Sequence, residues 1–375
     1  MRIAVNTRCL INNQLEGYGN FTAETMRRIT HQHPEHEFFF LFDRPYDASF
    51  IFSENVTPIV IGPPARHAML FKWWYDVRVP AALRKIKADV FVSPDGFCSL
   101  ATNVPQVLVV HDLSFLHYPG FIKKSHLLFY KRYTPKYLAK AAMVATVSEF
   151  SKQDIIGQYK TSSEKITVIG SGIREGFVPV GWQEKEAIKE EYTVGKEFFL
   201  YSGSIHPRKN LVNLLKAFSL FKKRQQSNMQ LVLCGRMAWQ TNEFEEKLST
   251  YKYRADVQLL GFIPEAKLAK LTAAAYAVVY PSLFEGFGLP VLEGMQCGVP
   301  VITSNTSSMP EVGGPAALYA DPNNPDDIAN QMKLVYKDET LRNELIEKGW
   351  EQVQKFSWQK TADDLWRVIV SAAAK

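Results

Sequence analysis

Cysteine is scarce in this sequence, with four in 375 residues. Cys9, Cys98, Cys234 and Cys297 are far apart, form no CxxC and mostly sit in apolar surroundings such as LVLCG, which argues against both a disulfide framework and a thiolate metal site. Long hydrophobic runs are missing too. No segment approaches the ~18 uncharged apolar residues that a bilayer-spanning helix needs. The opening MRIAVNTRCL reads as a buried strand rather than as a charged region followed by an apolar signal core. A reducing cytoplasm is the expected compartment. A full GxGxxG with an acidic partner after the second strand is also absent, which argues against an NAD-dependent oxidoreductase.

What is present is an ordinary globular composition, 46% apolar and 22% charged. The length suits two α/β domains better than one core. The formal charge of +6 is unevenly placed: residues 1–180 hold 21 Lys+Arg against 15 Asp+Glu, and residues 181–375 hold 23 against 23. Between 101 and 150, Lys123, Lys124, Lys131, Arg132, Lys136 and Lys140 face only Asp112 and Glu149. Such a field recruits anionic surfaces, although a solvated helix face would carry the same pattern.

Short apolar runs alternate with amphipathic stretches. Strands are expected at RIAVN, FFFLF, PIVI, DVFVS, QVLVV, MVATV and ITVIG, with helical segments such as Phe21 to Ile29 and Trp74 to Ile86 between them. After the glycine- and proline-punctuated GSGIREGFVPVG, a second series follows at FFLYSG, QLVLCG, VQLLGF, AVVYPS, PVITSN and AALYA. The expected fold is α/β, two facing doubly wound Rossmann-like domains with a cleft between them: residues 1–170, a linker at 171–182, and residues 183–356. The amphipathic stretch at 357–375 is compatible with either domain. Open parallel sheets bind ligands at the carboxyl ends of their strands.

Four motifs lie just after strands. In EGFGLPVLE, Pro290 suits the first turn of a helix, so Glu285 falls on the preceding loop and Glu293 one turn inside. Gly286 and Gly288 admit a ligand near the backbone, and the helix start offers free amides to an anion such as a diphosphate. An ordinary acidic helix start explains the two glutamates equally well. In YSGSIHPRKNL, Arg208 and Lys209 would lie near the first turn of a helix, against its dipole, and an anion held between them would explain the pair. In VLVVHDLSF, His111 can reach a ligand, or can be a satisfied structural histidine. In EGYGN, Gly17 and Gly19 could bring a loop against a phosphate. The tract His31, His33 and His36 lacks further ligands at metal spacing and reads as a solvated helix end.

Together these segments resemble the retaining GT-B glycosyltransferases of family four. The resemblance spans nearly the whole chain, through the glycine loop, HDLSFLHYP, TVSEFSK, HPRKN, GFIPE, the Glu-x7-Glu pair at Glu285 and Glu293, and SNTSSMPEV. It implies a donor-binding C-terminal domain and an acceptor-binding N-terminal one onto which the final helix, about 357–375, returns. Carried over, Arg208 and Lys209 hold the donor diphosphate, Glu293 bonds the ribose and Ile263 contacts the base. Glu285 holds hydroxyls of the transferred sugar with the amides of Phe287, Gly288 and Leu289, while His111 lines the sugar and Gly17 approaches the diphosphate. The reaction implied is transfer of a hexose from a nucleotide diphosphate sugar, with retention, to a glycan or lipid-linked acceptor in bacterial surface polysaccharide synthesis. No cofactor and no metal are required, in keeping with the lack of a DxD motif. Ser204 departs from relatives that place another arginine there, which leaves more of the charge to Arg208 and Lys209. Contact with an anionic membrane through the basic N-terminal half is expected, and nucleic acid is not an expected partner. A nucleotide-sugar epimerase, a phosphorylase or a non-catalytic sugar-binding protein could share the scaffold.

Overall fold

The computed structural model describes residues 1–12, 15, 17–65, 68–238 and 241–375. The chain forms two compact units, one of Met1–Gly172 with Ser357–Lys375 and the other of Ile173–Phe356. The boundary falls inside the glycine-punctuated stretch at 171–182, most of which is bound into the second unit.

The first unit is built on strands β1 (Arg2–Asn6), β2 (Glu37–Phe42), β3 (Val56–Val60), β4 (Val90–Ser93), β5 (Gln106–Val110), β6 (Met143–Thr146) and β7 (Ile166–Val168). They pair in parallel in the order β3-β2-β1-β4-β5-β6-β7. Runs such as Phe38 to Phe42 and Val107 to Val110 are buried along their whole length, as befits a parallel sheet covered on both faces. Every apolar run read as a strand is one.

The stretch Trp74 to Ile86 is not one regular helix. It follows a helix at Ala68–Trp73, runs through a π turn at Trp74–Arg78 and continues as a helix at Val79–Ile86. Pro80 lacks the amide that a regular helix would donate back to Asp76, and the turn before it is widened. Trp74 and Tyr75 thereby enter the core, and Trp74 Nε1 donates to the Ile61 carbonyl at 2.6 Å.

The last helix, Trp358–Ala373, packs on this unit. Ser357 Oγ caps it by accepting from the Lys360 amide at 3.1 Å. Trp366 stacks on His33 with ring centres 3.8 Å apart, and Trp358 meets Phe21 edge-on. A Cβ on Gly172 would stand 2.3 Å from the Trp358 amide nitrogen, so only glycine lets the chain pass there. The histidine tract is thus not simply solvated: His33 is covered by Trp366, and the Met1 ammonium donates to His36 Nδ1 at 3.0 Å.

The second unit holds β8 (Phe198–Ser202), β9 (Gln230–Cys234), β10 (Val257–Gly261), β11 (Ala277–Tyr280), β12 (Val301–Ser304) and β13 (Ala317–Ala320). All are parallel, in the order β10-β9-β8-β11-β12-β13. Strand order reverses beside β1 in one sheet and beside β8 in the other. Each unit therefore carries a crevice at the carboxyl ends of two strands, β1 and β4 or β8 and β11. Among the described residues no helix is long and apolar enough to cross a membrane.

Candidate functional site

The crevice between β8 and β11 gathers most of the residues singled out by sequence. After β8 the chain passes Gly203 and makes a short 3-10 turn, Pro207–Lys209, whose start is capped by His206 Nδ1 accepting from the Arg208 amide at 3.2 Å. Asn210 follows in a left-handed conformation (φ 66°), and its Nδ2 donates to the carbonyls of Pro281 and Pro322 at 2.9 and 2.6 Å. The helix Leu211–Gln225 begins only then. Arg208 and Lys209 therefore occupy a separate turn rather than the first turn of the helix, and the dipole argument does not apply to them.

These two cations already have an anion inside the protein. Lys209 Nζ donates to Glu285 Oε1 at 2.5 Å and to the Tyr280 hydroxyl at 2.6 Å. Arg208 Nη1 donates to the Phe284 carbonyl at 2.7 Å and lies 3.4 Å from Glu285 Oε2. Ser282 Oγ and the Tyr280 hydroxyl also reach Oε1, at 2.5 and 3.1 Å. Glu285 is only 7% exposed. Burial alone would raise its pKa, but the Lys209 charge, with Arg208 and the hydrogen bonds, reverses that and holds the carboxyl at about 2. The site thus presents a fixed carboxylate beside two cations whose positions it determines.

The loop after Glu285 is held by serines that sequence reasoning gave no role. The Glu285 amide donates to Ser307 Oγ at 3.0 Å, and Ser308 Oγ reaches the carbonyls of Glu285 and Phe287 at 3.0 and 2.8 Å. Gly288 has φ 116°, and a Cβ there would lie 2.3 Å from Met309 Cε. The helix Leu289–Gln296 then starts with Pro290 in its first turn, as its sequence implies. The amides of Phe287, Gly288 and Leu289 precede or open that turn, where no earlier helical carbonyl can accept from them.

Glu293, one turn in, is 1% exposed. Arg174 holds it with two parallel hydrogen bonds, Nε to Oε1 at 2.6 Å and Nη2 to Oε2 at 2.9 Å. Ile263 is half-buried in the loop between β10 and the helix Glu265–Ala274, next to Phe262, an aromatic 66% exposed.

In the first unit, His111 follows β5. Its Nε2 lies 2.9 Å from the Pro94 carbonyl, which can only accept, so Nε2 carries the hydrogen. Burial lowers the pKa of this ring, and in the neutral form Nδ1 is an acceptor. Gly17 opens the helix Gly17–Gln32 on an exposed side, with nothing within 4 Å of where a Cβ would stand. Gly19 is buried, and a Cβ there would meet the Cys9 carbonyl at 3.0 Å, so its bareness serves helix packing. Glu16 of the same motif lies outside the described residues.

The β1/β4 crevice holds a polar cluster that sequence reading missed. Arg8 sits over Phe71 and Trp74 and pairs with Asp43 at 3.2 Å and Asp95 at 3.8 Å. The Tyr75 hydroxyl is 2.8 Å from Asp95 Oδ1 and Oδ2 and accepts from Asn6 Nδ2 at 2.7 Å.

Two family descriptions match the chain: glycosyl transferases group 1 over residues 183–352, and glycosyltransferase family 4 over residues 17–176. The O-antigen chain mannosyltransferase B of Escherichia coli is 32% identical over 279 residues, covering 74% of this chain and 73% of that protein. The O-antigen chain mannosyltransferase RfbU of Salmonella typhimurium is 33% identical over 274 residues, covering 72% and 71%. The chain belongs to the group 1 glycosyltransferases. Its fold is that of GT-B enzymes, two parallel-sheet α/β domains. WaaG, a glycosyltransferase involved in lipopolysaccharide biosynthesis, superposes with a TM-score of 0.77 at 15% identity, covering 98% of this chain and 99% of that one. HepE of Anabaena, solved in complex with UDP-glucose, gives 0.76 at 16% identity, covering 99% and 100%.

Proposed function

We propose that this chain transfers a hexose, with retention of configuration, from a nucleotide diphosphate sugar bound by the second unit to a glycan or lipid-linked acceptor bound by the first. The observation that carries the reading is the buried Glu285 carboxylate clamped by Lys209 and Arg208 at the switch point of the second sheet. A carboxylate kept ionised is an acceptor for sugar hydroxyls at neutral pH. The cations beside it, together with the amides at Phe287, Gly288 and Leu289, can take up the charge of a leaving diphosphate. Glu293 is assigned to the ribose, Ile263 to the base, and His111, with its acceptor Nδ1, to a hydroxyl of the sugar. Gly17 is assigned to the diphosphate. Retention follows the family resemblance. Mannose is the favoured sugar, because two relatives act in O-antigen chains as mannosyltransferases, and synthesis of a surface polysaccharide is the matching process.

Metal independence is part of the proposal, since side-chain and backbone donors supply the positive charge. Purified protein is assayed with a panel of nucleotide sugars, with and without excess EDTA, and the product anomer is read by NMR. Transfer with retained configuration that persists in EDTA is expected. An inverted product contradicts the stereochemical part, and a metal-reversible loss of all transfer contradicts the electrostatic part.

Peripheral contact with the anionic inner face of a membrane is proposed for the first unit. Lys123, Lys124, Lys131 and Arg132 are exposed on and before the helix Lys124–Lys140, with Leu128 70% exposed among them. The Phe71 ring joins the segment before the π turn to Phe129 of this helix, which in turn meets Tyr133 on the same helix. Of the aromatics in the neighbouring segment, Trp74 and Tyr75 are core, while Trp73 is exposed, as is Val77. Each basic side chain near an anionic leaflet is worth ~1 kcal/mol. Flotation with anionic but not neutral vesicles is expected, lost at high salt and weakened by charge reversal at Lys123, Lys124 and Lys131. Equal recovery with both lipids, or none with either, points to a soluble acceptor and no membrane contact.

A further inference from the structure

Arg174 lies in a stretch without sequence periodicity, yet it makes a doubly hydrogen-bonded long-range contact in the second unit's site. Its guanidinium meets Glu293, 119 positions away, edge to edge at 2.6 and 2.9 Å. A third nitrogen, Nη1, reaches Glu265 at 3.3 Å, the first residue of the helix that follows the Ile263 loop. The guanidinium carbon lies 4.9 Å from the centre of the Phe177 ring. One planar group therefore fixes both the carboxylate one turn into the helix Leu289–Gln296 and the start of the helix Glu265–Ala274.

We propose that Arg174 is a positioning residue for donor recognition, orienting the Glu293 carboxylate so that its remaining lone pairs meet the vicinal hydroxyls of the donor's ribose. The inference builds on the donor reading of this unit. An ionised carboxylate has about four acceptor positions, and a bidentate guanidinium occupies two of them. The other two are left in a plane set by the fork, a geometry that two adjacent hydroxyls can match. Burial makes the orientation matter. A carboxylate 1% exposed cannot draw on water to replace a lost partner, so without Arg174 it turns toward another donor. It then stops being a paired acceptor for diols. Lysine at this position restores charge without the fork.

A blocking role for Arg174, as a cation that must leave before ribose can enter, makes the opposite prediction, because its removal would then tighten binding. Calorimetric titration with UDP and GDP, and with their 2′-deoxy forms, separates the two. Wild type is expected to prefer the ribonucleotide. Arg174→Ala is expected to weaken ribonucleotide binding about tenfold, the loss associated with a charged hydrogen bond, and to remove most of the preference over the 2′-deoxy form. Arg174→Lys should recover part of the affinity but little of the preference. In a Glu293→Ala background, adding Arg174→Ala should change affinity by less than about twofold, since the pair acts as one unit. With saturating donor, turnover should fall far less than KM rises. Tighter binding by Arg174→Ala overturns the proposal, and so does weaker binding with the ribose preference intact, which would mark a merely structural residue. A wild type that binds UDP or GDP without ribose preference overturns this inference alone. A wild type that binds neither overturns the donor reading and this inference with it.

Discussion

Replacing Glu285 by Gln is expected to lower transfer by about 10²–10³-fold, the range seen when a single preorganised electrostatic group is lost from a site, with the chain still folded. The amide keeps the shape of the side chain but not its charge, so sugar hydroxyls lose their ionised acceptor and Lys209 and Arg208 lose the anion that fixes them. Stability should respond in a pH-dependent way. The carboxyl is held at about 2 in the folded protein against an ordinary 4.5, a depression worth about 3 kcal/mol. A depressed acid contributes fully above its unfolded pKa, and the contribution is lost as pH falls from about 4.5 toward about 2. Thermal unfolding should therefore show the wild type clearly more stable than Glu285→Gln at pH 7, with the gap closing as pH approaches 3. Near-normal turnover in the variant, or a gap independent of pH, contradicts the role given to this group.

Lys209→Ala should have an effect of similar size for a different reason. It removes the nearest positive charge from a buried carboxylate and leaves Arg208, at 3.4 Å, as its remaining cation. Breaking a buried ion pair from one side costs about 3–5 kcal/mol because the other charge stays behind. The Tyr280 hydroxyl, which accepts a hydrogen bond from Lys209 Nζ at 2.6 Å, also loses that donor. Two results are expected together: transfer reduced by about 10³-fold, as a lost oxyanion-type donor with its neighbour displaced implies, and a lower unfolding midpoint that a second change, Glu285→Gln, partly restores. Checking kcat and KM alongside melting separates the two contributions. If the double variant is no more stable than Lys209→Ala, the pair is not the coupled unit described above.

The sheets were legible in the sequence because parallel strands buried on both faces are continuous apolar runs, and glycine or proline marks their ends. The start of the helix at Leu289 was equally legible from Pro290, and with it the loop position of Glu285. Other features have no local signature. The Lys209–Glu285 pair joins residues 76 positions apart, so Lys209 read as a cation in search of an external anion. Arg174 stands in a segment without periodicity, and its partner is 119 residues away. Ser307 and Ser308 act through hydroxyl contacts to a loop that only the β11/β12 pairing brings near. The helix from Trp358 has an apolar face that either unit could cover. Its place is set by His33, Phe21 and the bare Gly172, none of which the helix pattern contains.

The central claim is that the crevice between β8 and β11 is the donor site. Hydrogen exchange of backbone amides with and without a saturating nucleotide sugar, read by mass spectrometry on the wild-type chain, tests it most directly. Protection is expected in peptides spanning 203–211 and 284–295, with a smaller change around 261–265 where Ile263 lies. Protection confined to the β1/β4 crevice of the first unit, around Arg8, Asp43 and Asp95, or no protection in the second unit at all, contradicts the account.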